Sequence, residues 1–338
     1  MLLAINDESL HQAAQLIRRG DLVAFPTETV HGLGADAFNT GALARIFEVK
    51  GRPNFDPLII HIAETETLEK IADFSALGTE RVKKIHLLAE KLWPGPLSLV
   101  LPKRESIPPI ATSGLPTLAV RLPDHPAAKQ LISLSTGAVA APSANPFGCL
   151  SPTRAEHVRD LLGEKIDIIL DGGSCRIGLE STVLDMSSAD IRILRPGGTP
   201  KEAIEELIGN VLDASAAGKG AEAIVSPGML ESHYAPATPF LAYTREAIIK
   251  QSAEAGSAFV FFDGESRDAY FTAQKYIAAD KPVIRVLSEA GNLHEAAAAL
   301  FEILHELDKL KVRRIIAQFA PEDGLGAAIN DRLRRAQH

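Results

Sequence analysis

The sequence predicts an α/β protein with two domains, and three observations support this prediction. Short β-rich runs alternate with helical segments over residues 1–209, the alternation returns after residue 240, and the pattern weakens in between. The chain has 338 residues, which is enough for two ordinary hydrophobic cores. We therefore predict a larger domain over residues 1–209, a linker and lid loop over residues 210–239, and a smaller, Rossmann-like α/β domain over residues 240–338.

The larger domain is predicted to contain helices between its strands. Apolar residues on one helical face over residues 43–47 predict a helix that ends near Lys50. Thr153 and Glu156 have the spacing of a capping box, so we expect a second helix to begin at Thr153 and to stop at Gly163. Runs of apolar and β-branched residues predict the strands, at residues 22–25, 58–62, 97–101, 118–121, 166–170 and 181–184.

The smaller domain is predicted to contain a buried parallel sheet. Three mostly apolar runs after residue 240 look like buried parallel strands, which helices cover on each side. These runs lie at residues 258–262, 283–286 and 314–317. A long helix is expected at residues 293–310, between the last two strands.

Composition and charge argue against several classes of protein. Hydrophobic residues make up 46% of the chain and charged residues 23%, and no apolar run reaches the roughly 20 residues of a membrane helix. Cys149 and Cys175 form no CxxC pair, and no export signal is recognisable, so we expect a cytoplasmic protein without membrane contact. The net charge of −8 argues against a broad basic surface for nucleic acid. An anion site would therefore be local and suited to a nucleotide.

The segment over residues 25–36 carries a predicted strand into a turn rich in hydroxyl groups and glycine. Such a turn lets backbone N–H groups and threonine side chains approach a ligand closely. An ordinary corner between a strand and a loop is the alternative. His31 lies in this turn, and we favour a contact role over a catalytic one, because a lone loop histidine more often packs or forms a hydrogen bond.

Cations stand at two notable positions. Lys50 and Arg52 are separated by one glycine and followed by prolines, so they form a compact candidate anion site. The alternative is that both only complement the dipole of the preceding helix. Arg121 stands in an otherwise apolar strand, where it needs either a protein carboxylate or an anionic ligand as its partner.

Small and hydroxyl-bearing residues supply the remaining candidates. Ser143, Asn145 and Ser151 follow an Ala-Ala-Pro run and offer neutral donors suited to phosphate or ribose oxygens, although an ordinary turn is the alternative. The chain has neither the Walker A spacing nor the Rossmann glycine fingerprint. It also lacks a GxSxG elbow, so Ser143 and Ser181 are expected to bind a ligand rather than to act as nucleophiles.

Taken together and in order, these segments resemble the two-domain form of the YrdC-like family. The matching segments are PTETVHGLGADA from residue 26, KGRPNFDPLIIHI from 50, WPGPLSLVL from 93, AVRLP from 119, APSAN from 141, GLESTV from 178 and LRPGG from 194. In addition, SPGMLESHYAP from residue 226 is similar to the family's interdomain loop, and GLGAAINDRL from 324 to its C-terminal domain. The resemblance covers nearly the whole chain and implies an N-terminal YrdC-like domain with a twisted mixed sheet flanked by helices.

The resemblance also implies an activity and a set of partners. Members of this kind are nucleotidyltransferases that join L-threonine, bicarbonate or CO₂, and ATP into L-threonylcarbamoyladenylate and release pyrophosphate, with Mg²⁺ assisting. The product serves the threonylcarbamoyl modification of adenosine in tRNA. A downstream tRNA threonylcarbamoyl transferase complex is the implied partner, and direct tRNA binding is not required.

Site residues follow from the resemblance position by position. It implies threonine contacts at Thr29, His61, Arg121, Ala141 and Ser181. It implies ATP contacts at Lys50, Arg52, Asp56, Thr117, Ser143, Asn145, Ser151, Arg195 and Tyr234. The catalytic residues among these are the three that offset the charge of the triphosphate, Lys50, Arg52 and Arg195. No residue is assigned to a protein-bound metal. The chain departs from the family at His31, where tyrosine is common, and at Asp56, where asparagine is common.

Two other functions stay open at this point. Carbamoyl transfer from carbamoyl phosphate occurs in hydrogenase-maturation proteins with a similar domain, but those carry acylphosphatase-like and zinc-finger regions that this sequence lacks. An RNA-binding module is the non-enzymatic alternative, and the net charge of −8 argues against it. Pyrophosphate release that depends on both threonine and bicarbonate separates the three functions.

Overall fold

The computed structural model describes residues 1–213, 234–252, 254–274 and 282–337. Contacts between residues divide the chain into two compact units. Of the described residues, the first unit contains 1–147, 151–176 and 180–213, and the second contains 148–150, 177–179 and those from 234 onward. Most of the predicted lid loop falls on residues 214–233 and therefore lies outside the described residues.

A mixed sheet of eleven strands forms the centre of the first unit, as far as this unit is described. The strands are β1 (Leu2–Ala4), β2 (Val23–Phe25), β3 (Gly32–Asp36), β4 (Ile59–Ile62), β5 (Leu97–Pro102), β6 (Thr117–Arg121), β7 (Ala138–Ala140), β8 (Ile168–Asp171), β9 (Thr182–Asp185), β10 (Arg192–Arg195) and β11 (Leu212–Asp213). Their spatial order is β1-β8-β2-β3-β7-β4-β6-β5-β9-β10-β11. Pairing is parallel between β4 and β6 and antiparallel between β2 and β3. The predicted mixed α/β architecture is confirmed.

Helices of the first unit pack their apolar faces against this sheet and against one another. They are α1 (Asp7–Arg19), α2 (Thr40–Lys50), α3 (Leu68–Ile71), α4 (Thr79–Leu92), α5 (Pro126–Leu134), α6 (Ala155–Leu162) and α7 (Lys201–Ile208). In α1, the side chains of Asn6 and Ser9 form a reciprocal capping box, and Gly20 ends the helix at a φ of 90°. Leu10 and Ile17 on its apolar face are buried, so sequence periodicity and capping define the same helix.

The predicted strands of the first unit agree with the structure to within one or two residues. All six predicted runs overlap a strand, and the helix predicted to end near Lys50 is α2. The sequence patterns do not predict β3 and β7, two short strands near the centre of the sheet. These two strands matter because the turn before β3 and the loop after β7 contain candidate ligand contacts.

The capping box predicted at Thr153 is wrong. Helix α6 begins at Ala155, with Arg154 as its N-cap and no capping hydrogen bond from a side chain. The backbone N–H of Thr153 instead donates to Nδ1 of His157 at 3.3 Å, and Oγ1 of Thr153 lies 3.4 Å from the same nitrogen. Nδ1 of the imidazole therefore takes the place of the glutamate oxygen that would accept the backbone N–H of Thr153 in a capping box. The predicted stop at Gly163 is confirmed, since α6 ends one residue earlier.

In its described residues, the second unit is a four-stranded parallel sheet with helices. Its strands are β12 (Phe240–Tyr243), β13 (Ser257–Asp263), β14 (Val283–Ser288) and β15 (Arg314–Gln318), in the order β12-β15-β13-β14. Its helices are α8 (Arg245–Ile248), α9 (Gly264–Ala273), α10 (Leu293–Lys309) and α11 (Gly326–Arg335). The three predicted strands and the predicted long helix are confirmed. No helix in the described ranges has both the length and the apolar character needed to cross a membrane.

Candidate active site

Lys50 is the last residue of α2 and holds a buried positive charge. The helix ends because Gly51 adopts a left-handed conformation with a φ of 60°, which glycine accepts without strain. The Nζ of Lys50 donates to the carbonyl oxygen of Ser143 at 2.6 Å and to that of Asn145. The ammonium group is therefore fixed between the end of α2 and the loop that follows β7.

Arg52 and Asp56 form a buried ion pair beside Lys50. The guanidinium lies 2.9 Å from Oδ2 of Asp56, and it also donates to the backbone carbonyls of Asp56 at 2.9 Å and Pro57 at 2.8 Å. Burial raises the pKa of Asp56 above its ordinary value, against the opposing effects of Arg52, Lys50 and Arg195. Three of the four predicted basic site residues thus act electrostatically on a single carboxyl group.

Arg195 ends β10 and binds Ser181, which immediately precedes β9. Its guanidinium donates to the carbonyl oxygen of Ser181 at 2.9 and 3.2 Å and to the hydroxyl at 3.2 Å. The same hydroxyl lies 2.8 Å from Oγ of Ser98. This close approach needs Gly197, because a Cβ there would lie 2.4 Å from backbone atoms of residues 180–182. A predicted ATP contact and a predicted threonine contact are therefore direct neighbours.

Arg121 ends β6, where it pairs with a carboxylate that the sequence analysis does not single out. Its NH2 group donates to Oε1 of Glu28 at 2.5 Å, its NH1 group to Oγ1 of Thr29 at 2.9 Å, and Nε to the carbonyl of Gly95 at 3.1 Å. Both members of the pair are buried. Of the two partners expected for Arg121, the structure contains the protein carboxylate. These three contacts use three of the five guanidinium N–H groups and leave one on each terminal nitrogen.

The Arg121 pair and the Arg195 pair lie on the two sides of one short segment. Gly95 accepts from Nε of Arg121, and the next residue, Pro96, accepts from the backbone N–H of Thr182 at 2.9 Å. Ser181 directly precedes Thr182 and binds Arg195. The strand order β6-β5-β9-β10 explains this adjacency, because the segment leads into β5 between β6 and β9.

His61 lies beside Arg121, as its register partner in the parallel pair of β4 and β6. Burial, and to a smaller extent the positive charge of Arg121, lowers the pKa of His61 to about 3. The imidazole is therefore neutral at physiological pH. Its Nδ1 lies 3.3 Å from the carbonyl oxygen of Ile59, which can only accept, so Nδ1 carries the proton and Nε2 is left as an acceptor.

The other predicted contacts of the first unit lie on loops next to these pairs or at a strand start. Ala141 follows β7, and its N–H donates to the carbonyl of Ile59 at 3.0 Å. Ser143 forms an isolated bridge with Gly32, which joins its loop to β3. The hydroxyl of Ser151 donates to a carboxylate oxygen of Glu180. Thr117 is at the opposite end of β6 from Arg121, where it pairs with Pro102.

Tyr234 belongs to the second unit, unlike the other predicted ATP contacts. Its side chain is 2% exposed, and the guanidinium carbon of Arg332 lies 4.7 Å from the centre of its ring. The ring centre of Phe301 is 5.9 Å away. Tyr234 also has a φ of 62°, which is uncommon for a residue with a side chain. The described contacts of Tyr234 are thus those of a packed residue within the second unit.

His31 is buried in the turn before β3 and does not titrate near neutral pH. Burial lowers its pKa to about 4, and Nδ1 lies 3.5 Å from Sγ of Cys175. Burial also raises the pKa of Cys175 to about 12, so this thiol keeps its proton. The backbone N–H of His31 donates to the carbonyl of Pro152 at 2.8 Å, which connects the turn to the loop before α6. The described contacts of His31 are those of a packed residue, and a contact with a ligand stays a prediction.

The lowered pKa of His31 predicts a loss of stability in acid. The unfolded chain takes up the proton near pH 6.5 and the folded protein only near pH 4, so stability falls as the pH drops through this window. For this group the free energy of unfolding should change by at most about 1.4 kcal/mol per pH unit. His31→Gln should reduce this dependence on pH, measured by urea unfolding at pH 7, 5.5 and 4.5. An equal slope in the variant would contradict the assignment.

Among the residues that the structure describes, no group of three or more His, Cys, Asp or Glu side chains is arranged to hold a metal ion. The charges of Arg52, Lys50 and Arg195 each oppose the rise in the pKa of Asp56, and this carboxyl group is already paired with Arg52. The described part of this site, with three cations around one carboxyl group, is suited to an anion.

Two family models match the chain in succession. The model described as "Telomere recombination", which is named for Sua5, YciO and YrdC, matches residues 15–197. The model described as "Threonylcarbamoyl-AMP synthase, C-terminal domain" matches residues 199–337. Together they cover nearly the same stretch as the sequence motifs.

Similar proteins cover almost the full length of the chain. The threonylcarbamoyl-AMP synthase of Pyrococcus abyssi is 42% identical over 335 residues, which are 98% of this chain and 95% of that protein. The threonylcarbamoyl-AMP synthase of Bacillus subtilis is 41% identical over 338 residues, with 99% and 94% covered. The crystal structure of P. abyssi Sua5 complexed with L-threonine matches with a TM-score of 0.85 and 39% identity, over 100% of this chain and 97% of that one.

Proposed function

Because the chain belongs to the threonylcarbamoyl-AMP synthase family, we propose that it makes L-threonylcarbamoyladenylate from L-threonine, bicarbonate or CO₂, and ATP, with release of pyrophosphate. One observation carries this proposal. The charges of Lys50, Arg52 and Arg195 all act on the buried carboxyl group of Asp56. Arg195 also binds Ser181, and the next residue along the chain, Thr182, pairs with the segment that contacts Arg121. An anion site and a candidate amino-acid site thus meet, as a reaction between ATP and an amino acid requires.

The nucleotide is proposed to bind on the side of the three cations. Lys50, Arg52 and Arg195 offset the negative charge of the triphosphate, and Mg²⁺ would supply further positive charge there. Their charges are held in place by hydrogen bonds to backbone carbonyls, so little reorganisation is needed when ATP binds. The other proposed ATP contacts are Asp56, Thr117, Ser143, Asn145, Ser151 and Tyr234.

Threonine is proposed to bind on the side of Arg121. The two remaining N–H groups of this guanidinium would hold the carboxylate, and Nε2 of neutral His61 would accept from the threonine hydroxyl. A site built to pair a buried hydroxyl rejects valine, because valine would leave the imidazole nitrogen without a partner. Thr29, Ala141 and Ser181 complete the proposed set.

The proposed reaction needs no covalent intermediate with the enzyme. The α-amino group of threonine first loses a proton to solvent. Its nitrogen then bonds to the carbon of CO₂, one C–O π bond breaks, and a second proton leaves the nitrogen for solvent, which gives a carbamate. A carbamate oxygen then bonds to the α-phosphorus of ATP. The bond between the α-phosphorus and the bridging oxygen breaks, and pyrophosphate leaves with the electron pair. The side chains position the reactants and stabilise charge, and orientation of this kind lowers a barrier by roughly 7–11 kcal/mol. The product then supplies the threonylcarbamoyl group to a tRNA transferase complex in the cytoplasm.

Pyrophosphate release tests the proposed function. Purified protein with ATP and Mg²⁺ is expected to release pyrophosphate only when both L-threonine and bicarbonate are present, and mass spectrometry should detect threonylcarbamoyladenylate. Turnover of carbamoyl phosphate without threonine would favour the carbamoyl-transfer alternative. Binding of tRNA without any nucleotide turnover would favour the RNA-binding alternative.

Asp56→Asn is expected to lower the KM for ATP about three- to tenfold. The carboxylate reduces the positive charge that the triphosphate meets, and removing one such charge is worth about 1 kcal/mol. Asparagine keeps the size of the side chain without its charge. Asp190→Asn is the matched control, because the Asp190 side chain is 64% exposed and should leave the KM unchanged. A higher KM in Asp56→Asn would mean that the ion pair with Arg52 is needed to hold the site.

A further inference from the structure

Glu28 has one carboxylate oxygen that its protein environment does not satisfy. The side chain is 2% exposed, and Oε1 accepts from Arg121 at 2.5 Å. Oε2 is buried and has no hydrogen-bond partner in the described part of the chain. A buried acceptor without a partner is costly, so it calls for an explanation. The usual geometry of an arginine–carboxylate pair engages both oxygens, and here only one is used.

The free groups of the pair match the two charges of an amino acid. Arg121 keeps one N–H on each terminal nitrogen after its contacts with Glu28, Thr29 and Gly95. Glu28 keeps one anionic oxygen. A zwitterion presents a carboxylate and an ammonium group on the same carbon skeleton, so it can meet a cation and an anion side by side. The pair is neutral as a whole, and so is the ligand, so binding leaves no net charge buried.

We propose that Oε2 of Glu28 accepts a hydrogen bond from the α-amino group of threonine, and that Glu28 and Arg121 together recognise the amino acid as a zwitterion. This inference rests on the proposed function, because it takes threonine to be the ligand of this pair. It makes Glu28 a substrate contact that selects amino acids over hydroxy acids and other carboxylates. It also holds the nitrogen, the atom that must reach the CO₂ carbon, at a fixed position beside Arg121.

Two neighbours of Glu28 fit this role. Burial raises the pKa of Cys175, and the negative charge of Glu28 is the second cause of this rise. Burial lowers the pKa of His125, and the charge of Glu28 opposes that effect. The thiol of Cys175 therefore keeps its proton, and the imidazole of His125 is harder to protonate than an exposed one. The ion pair of Glu28 is with Arg121.

The test compares two ligands that differ only in the amino group. L-threonine and (R)-3-hydroxybutanoate share the carboxylate and the hydroxyl, and calorimetry without ATP gives the Kd of each for wild type and Glu28→Gln. We expect wild type to prefer threonine and Glu28→Gln to lose about 10- to 100-fold in threonine affinity, the range of one charged hydrogen bond. The affinity for 3-hydroxybutanoate should change less than about threefold.

Two outcomes would overturn the inference. If both ligands weaken equally, Glu28 acts only by orienting Arg121, and if threonine binds unchanged, Glu28 is no contact. Glu64→Gln, at an exposed residue, is the matched control for the chemical change. If Glu28→Gln does not fold, Glu28→Asp keeps the charge with a shorter reach and should lose part of the same preference. Wild-type protein that binds threonine selectively yet releases no pyrophosphate would refute the proposed function and leave this inference standing.

Discussion

Arg121→Ala is expected to raise the KM for threonine about 100-fold or more, while the KM for ATP changes less than about threefold. Hydrogen bonds to a charged group contribute about 1.5–3 kcal/mol each, and the proposed contact uses two. Pyrophosphate release with each substrate varied at saturating concentrations of the others measures both constants. An unchanged KM for threonine would contradict the assignment of Arg121 to the threonine carboxylate.

The same substitution is also expected to destabilise the protein by about 3–5 kcal/mol, because Glu28 stays buried without its cation. The double variant Arg121→Met with Glu28→Gln removes both charges, so it should recover most of this stability but not the binding of threonine. Urea unfolding and threonine titration of both variants separate the two effects. Recovery of threonine affinity in the double variant would mean that the pair is purely structural.

Lys50→Ala is expected to weaken ATP binding about 10- to 100-fold. The change removes a fixed charge and deprives the carbonyls of Ser143 and Asn145 of their donor, so both the electrostatics and the loop geometry suffer. Calorimetric titration with ATP and Mg²⁺ measures the effect. Threonine binding without nucleotide should stay within about twofold of wild type.

Controls for Lys50 distinguish its charge from its packing. Lys83→Ala removes the same group from a position whose side chain is 67% exposed and should leave ATP binding unchanged. Lys50→Arg keeps the charge but not the compact donor geometry, so an intermediate loss is expected. Unchanged nucleotide affinity in Lys50→Ala would remove Lys50 from the site.

The sequence predicts best those strands that are buried on both faces. The run over residues 97–101, in which Ser98 is the one polar residue, has no polar face that a surface helix could use, and β5 lies there. The sequence does not predict strand β3, because Gly32 and Gly34 are typical of a turn. A Cβ at Gly34 would lie 2.7 Å from a ring carbon of Phe25, so this glycine permits close packing between strands instead. A local pattern carries no information about such a contact.

The sequence also predicts that Arg121 needs an anionic partner, but it does not identify that partner. Glu28 precedes Arg121 by 93 positions and lies in the turn after β2, so the pair depends on the strand order and on the conformation of that turn. The cluster around Lys50 is easier to predict because its residues are close in sequence. The pairing of Arg52 with Asp56 has an i,i+4 spacing. Arg195 joins them only through the fold.

The hydroxyl of Ser181 lies between the proposed ATP side of the site and the proposed threonine side. It accepts from Arg195 on the side of the cations and lies within hydrogen-bond distance of Ser98. A hydroxyl has one hydrogen to give, so a Ser181 that donates it to threonine leaves Ser98 as the donor between the two hydroxyls. Threonine binding would thus fix the direction of both O–H groups beside Arg195.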